Sequence, residues 1–166
     1  MNAQTDGYEI KPDIDPSKAQ FITPSVRATN GAESIVTVTS RDHEWSIDEP
    51  TEKGGTNQGP TPLEALLGSL VGCESVVLKL VAKAIGFSYA GLTIDCTGTA
   101  DMRGARGVKG VRPYFTKVEM VIDLRTNEPE KRIDMLRRNV EQRCPVMNLF
   151  NGAGVEMDVT WKISPG

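Results

Sequence analysis

The hydrophobic positions of this chain change period several times, and each change marks an element. Ile35-Val36-Thr37-Val38-Thr39 is a β-branched run preceded by the turn signal Asn30-Gly31. It reads as one strand of a hairpin whose strand signals begin near Pro24. A third short strand is expected over 41–47, and 48–59, rich in Gly, Pro, Thr and Asn, reads as loop. A helix start follows: Thr61 as N-cap, Pro62 at the first helical position, where its missing N–H costs nothing, and Glu64 three residues after the cap. The helix runs to about Ile85, where Gly86 ends it. Its first half, Ala65 to Cys73, is apolar or small on every face and is expected to be buried all round. Its second half carries Glu74, Lys79 and Lys83 and is expected to emerge toward solvent.

Beyond the helix the period drops to two. Leu92, Ile94, Cys96, Gly98 and Ala100 share one face, and Thr93, Asp95, Thr97 and Thr99 the other. A Gly- and Arg-rich turn over 102–112 leads to a second strand over 114–124, making a long hairpin. Residues 130–142 are helical, with Ile133, Leu136 and Val140 on one stripe. Cys144 to Phe150 is a short helix ended by Asn151-Gly152, and 155–163 is a final strand. Hairpin-linked strands separated by helices give an α+β fold with antiparallel sheet. A helix that is apolar all round needs more cover than one small sheet supplies, so an intimate homodimer is expected.

Composition narrows the class. The 166 residues suit one ordinary domain, expected over 21–166, with 1–20 as a mobile arm. Aromatics are only 5%, so the core must be aliphatic. A formal charge of −3 without basic–aromatic clusters argues against nucleic acid and anionic membrane. The polar, proline-containing start is unlike a signal peptide, and 65–73 is too short to span a bilayer, so a soluble cytoplasmic protein is expected. There, three cysteines read as free thiols or a reactive pair.

A thiol reacts as its thiolate. Cys73, deep in the apolar helix, needs a cation or strong donors nearby, because desolvation raises a thiol pKa. Taken alone, it reads first as a small hydrophobe. Cys144 stands at the N-cap of the 145–150 helix, where free N–H groups and the helix dipole favour negative charge, with Arg143 beside it. Cys96, on the apolar strand face, reads as structural. A single histidine, His43, and no C-x-x-C leave no metal site to build.

Asp48-Glu49-Pro50, Gly54-Gly55, Gly59-Pro60-Thr61-Pro62-Leu63-Glu64-Ala65-Leu66-Leu67 and Gly72-Cys73, with Cys144-Pro145-Val146 later, resemble the OsmC/Ohr family from about Arg41 to the C-terminus, in the version of a less characterised OsmC-like branch. The resemblance implies an intertwined α+β homodimer with a long central helix from each subunit. It implies a thiol-dependent peroxidase acting on organic hydroperoxides, with no bound cofactor and an external dithiol reductant such as lipoamide. Cys73 would be the peroxidatic thiolate, oxidised to a sulfenic acid, and Cys144 the resolving thiol. An arginine, Arg41 first and Arg27 second, would hold the thiolate, and a glutamate would orient the arginine. The family's glutamate position, ten residues before the first cysteine, is Leu63 here, and Glu64 lies nine before. That departure keeps a second reading open: a non-catalytic dimer that binds a small apolar molecule near Leu63, Leu66, Leu67, Leu70, Leu149 and Phe150, or senses redox state.

Overall fold

The structure, a computed structural model, describes residues 15 and 17–166. Most of the arm expected over 1–20 lies outside the described residues. The described chain forms two compact units, one ending at Gly68 and the other covering Ser69–Gly166.

The first unit holds three antiparallel strands, β1 (Arg27–Asn30), β2 (Val36–Ser40) and β3 (His43–Ile47), in the order β1-β2-β3. Ser40 pairs with His43, so Arg41 and Asp42 form a two-residue turn, with Arg41 at φ 52°. The loop after β3 folds around one carboxylate. Asp48 is buried and accepts from Ser34 Oγ and the Glu49 N–H on one oxygen, and from Thr56 N–H, Thr56 Oγ1 and Gln58 N–H on the other. The Thr56 and Ser34 hydroxyls, then the Gln58 and Glu49 amides, hold it well below the usual carboxylate range against the opposing effect of burial. Gly55 is required here because a Cβ would overlap the Glu49 carbonyl.

The long helix α1 (Pro62–Ile85) begins in a capping box. Thr61 N–H and Oγ1 donate to Glu64 Oε2 at 2.7 and 2.9 Å, and the Glu64 N–H donates to Thr61 Oγ1 at 3.3 Å. It ends where expected. Gly86 takes φ 62°, and the N–H of buried Phe87 reaches back to the Ala82 carbonyl at 2.8 Å, the closing bond of a Schellman motif.

The second unit carries a mixed sheet of β4 (Gly91–Ala100), β5 (Phe115–Arg125) and β6 (Glu156–Ser164), in the order β4-β5-β6. A short helix α2 (Met102–Ala105), capped by Asp101, lies between β4 and β5; α3 (Glu130–Arg143) and α4 (Pro145–Gly152) lie between β5 and β6. The alternation expected along β4 is present, and β4 pairs antiparallel to β5. The expectation of wholly antiparallel sheet does not extend to β6, which runs parallel to β5. Two helices carry the chain back across the sheet, and a crossover of that length is what a parallel pair requires. One apolar core joins Leu78, Val81 and Ala82 of α1, Leu124 of β5 and Ile133, Leu136 and Val140 of α3.

Burial along α1 reverses the expectation from sequence. Leu70, Glu74, Leu78, Val81 and Ala82 form the buried stripe, most of it in the second half. The first half is not enclosed within one chain: Leu66 is exposed, as are Gly68, Ser69 and Gly72. Sequence composition reports how apolar a segment is, but the neighbours that cover it come from tertiary packing. By length and composition α1 is also long and apolar enough to cross a membrane, beyond what the Ala65–Cys73 stretch alone suggests; its buried stripe belongs to the core just described.

Asp48→Ala is expected to lower the melting temperature and to open 48–59 to limited proteolysis. The native pKa of Asp48 is depressed, so its stabilisation is fully present above the unfolded carboxylate value of about 3.9 and is lost as pH falls through the lower native value. The difference in melting temperature between wild type and variant should therefore be greatest near neutral pH and shrink in acid.

Candidate active site

Cys73, Glu74 and Cys144 meet where α1 passes the corner between α3 and α4. The corner is built from backbone upward. Cys144 ends α3, its N–H bonded to the Val140 carbonyl at 3.0 Å, and it is also the N-cap of α4, with φ −69° and ψ 108°. Pro145 then opens α4, pre-set for the first helical position. Asn148 locks the turn, its Nδ2 donating to the carbonyls of Cys144, Glu141 and Gln142 at 2.9, 3.2 and 3.3 Å. This positions the Cys144 sulfur inward, where the Met147 N–H donates to it at 3.5 Å.

Cys144 is fully buried. Its thiol is pushed up to about 12, first by burial and then by the neighbouring Glu74 and Cys73 side chains; the Met147 amide works in the opposite direction and is outweighed. The helix start was expected to favour the thiolate. It does act with that sign, but loss of water is the larger effect, and the resting group is a protonated thiol. Cys73, half-buried on α1, lies against Cys144. The two sulfurs, 71 positions apart, are thus brought together as free thiols.

Glu74 was expected in the solvent-facing half of the helix, and this is the largest correction. It is fully buried, and neither carboxyl oxygen has a hydrogen-bond partner. Burial pushes its pKa up; the Cys144 side chain against it pulls the other way, and Glu141 adds to the rise. The signal was available in the spacing. Leu70, Glu74 and Leu78 stand at i, i+4, i+8, which places the acid on the apolar stripe.

The remaining candidates are placed elsewhere. Glu64 is exposed and committed to the capping box, which also lowers its pKa through the Thr61 amide and hydroxyl. Leu63 is half-buried. Arg41 stands exposed in the β2–β3 turn, and Arg27 is exposed on β1. Cys96 lies on the inward-facing side of β4, where burial raises its thiol pKa, in line with a structural role.

A buried carboxyl without partners opposes folding. Its folded pKa is raised, so stability is fully present below the unfolded value of about 4.3 and falls as pH rises, at about 1.4 kcal/mol per pH unit until the folded value is passed. Glu74→Met, similar in volume and without the charge, should remove that dependence. Chemical denaturation from pH 4 to 8 is expected to show variant and wild type close together in acid and the variant more stable at neutral pH, by about 1–3 kcal/mol.

Comparison with known proteins agrees with this architecture. The family model described as OsmC-like protein matches residues 55–160. No curated protein matches the chain. Among solved structures, an OsmC-like protein from Mycoplasma pneumoniae superposes with a TM-score of 0.75 at 22% identity, covering 87% of this chain and 99% of its own. An organic hydroperoxide resistance protein OsmC from Legionella pneumophila gives 0.62 at 17% identity, over 88% and 99%. An organic hydroperoxide resistance protein of Bacillus subtilis gives 0.55 at 19% identity, over 86% and 98%. At these identities the superpositions establish a shared fold, and the family model covers well over half of the chain. The long apolar helix, the two three-stranded sheets and the family match together make this chain a member of the OsmC-like protein family.

Proposed function

We propose that the protein is a thiol-dependent peroxidase that reduces organic hydroperoxides. The observation that carries this reading is the juxtaposition of Cys73 and Cys144, two free thiols from distant parts of the chain. Solved relatives named for organic hydroperoxide resistance support a redox role at the level of the family. In the first step the Cys73 thiolate attacks one peroxide oxygen, the O–O bond breaks, and the alcohol leaves with a proton. Cys73 becomes a sulfenic acid. In the second step the Cys144 sulfur attacks Cys73, a disulfide forms and water departs. An external dithiol then returns both thiols. Arg41 is proposed as the cation that holds the Cys73 thiolate. Glu64, engaged at the helix cap, is the weaker member of the proposed set.

The protein is further proposed to work in the cytoplasm as a homodimer. Gly72, Val76 and Leu80 fall on one exposed stripe of α1, opposite the buried one, and Val76 and Leu80 are 59% and 61% exposed. A second copy of the helix would cover them.

One observation favours a second reading. Cys144 rests as a strongly protonated thiol, pushed up first by burial. Inert thiols would fit a dimer that binds a small apolar molecule or senses redox state.

Intact-mass analysis after one equivalent of cumene hydroperoxide separates the two. The peroxidase reading expects loss of two hydrogens, mapped to a Cys73–Cys144 disulfide, with no reaction in Cys73→Ser and an added oxygen on Cys73 in Cys144→Ser. Unmodified wild-type protein would favour the binding reading. For the dimer, sedimentation is expected to give twice the chain mass for wild type and one chain for Val76→Asp combined with Leu80→Lys. A wild-type monomer would count against it.

A further inference from the structure

Three other carboxylates in the described chain have an evident structural task. Asp48 gathers a loop, Glu64 caps a helix, and Glu128 accepts from the Ser88 N–H and pairs with Arg132. Glu74 has none. It stands on the apolar line between Leu70 and Leu78, no backbone or hydroxyl donor satisfies either oxygen, and the side chain that faces it is the Cys144 thiol. A buried polar group left without partners in a native fold calls for an explanation other than folding. The groups that face it are Cys144 and Glu141, with Cys73 beside it in the chain and against the same Cys144 sulfur.

We propose that Glu74 is the proton-transfer group of the resolving step, taking the proton of the Cys144 thiol and returning one to the hydroxyl that leaves Cys73. The proposal rests on the reading of Cys73 and Cys144 as a reactive pair. The chemistry requires such a group. Cys144 is a protonated thiol in a dry site, and only the thiolate is a competent nucleophile. Hydroxide, the group displaced from the sulfenic acid, is a poor leaving group without a proton. A neutral carboxylic acid answers both needs at once: its carbonyl oxygen accepts the thiol proton while its O–H supplies one to the departing oxygen. The Cys144–Cys73 S–S bond forms, the Cys73 S–O bond breaks, and water leaves. The Cys144 sulfur is oxidised, the sulfenic sulfur is reduced, and Glu74 ends as neutral as it began. Being shut out of water favours the neutral form of the acid, which gives its burial a purpose.

The test separates the two steps. Reduced wild type, Glu74→Gln and Glu74→Met are mixed rapidly with cumene hydroperoxide and quenched with dimedone for intact-mass analysis. Both variants are expected to form the Cys73 sulfenic acid at the wild-type rate but to accumulate it, with disulfide formation slowed about a hundredfold. Their condensation rate should also rise more steeply with pH than that of wild type, as unassisted ionisation of Cys144 takes over. Condensation in both variants as fast as wild type, with the same pH profile, would overturn the proposal. Should wild type take no oxygen from peroxide, the peroxidase reading fails, and Glu74 is then judged without peroxide. Cys73 is converted to a mixed disulfide with thionitrobenzoate, and its release by Cys144 is followed by absorbance. Slower release in both variants, again by about a hundredfold, supports Glu74 as the proton acceptor; equal release removes it. Difference infrared spectroscopy of wild type needs no variant. A carboxylic-acid carbonyl band that changes between dithiol and disulfide is expected, and its absence would also overturn the proposal.

Discussion

Exclusion of water governs this molecule's chemistry. Cys73, Glu74 and Cys144 are packed where α1 crosses the α3–α4 corner, and loss of solvation is the leading influence on Cys144 and Glu74. It outweighs the helix-end amide at Cys144 and drives the Glu74 carboxyl toward its neutral form. The same core that provides the dryness bears the burden of it. Leu78, Val81, Leu124, Leu136 and Val140 supply the apolar contact that holds an unsatisfied acid in place.

The two kinds of buried carboxylate in this chain show the principle in both directions. Asp48 sits among hydroxyls and amides, so its charged form is favoured and the loop after β3 is organised around it. Glu74 sits among sulfur and hydrocarbon, so its charged form is disfavoured and nothing is organised by it. Two side chains shut away from solvent shift in opposite directions, because the number of donors within reach differs. The Cys144 corner adds a mechanical element. One residue closes α3, opens α4 and is held by the Asn148 amide, so the sulfur has little freedom to swing away from its neighbours.

Much of this was legible in the chain. Local rules placed α1 between a capping box and a left-handed glycine, and both ends are as expected. Alternation gave β4, and the Cys144-Pro145 pair gave the start of α4. The motifs around Cys73 and Cys144 pointed to the family that the chain belongs to. The direction of β6 was less accessible, since it depends on reading α3 and α4 as a crossover and not as a detour within a meander. Glu74 was misread for a different reason: its charge was given more weight than its position on the Leu70–Leu78 line.

The sequence by itself determined what depends on neighbours a few positions away: caps, turns and periodicity. These are set by short-range sterics and hydrogen bonding, which composition and spacing encode directly. Only the tertiary structure decided which groups lose their water and which sulfurs meet. Solvation at a residue is fixed by atoms that arrive from far along the chain, and Cys144 reaches Cys73 through the packing of α3 on α1.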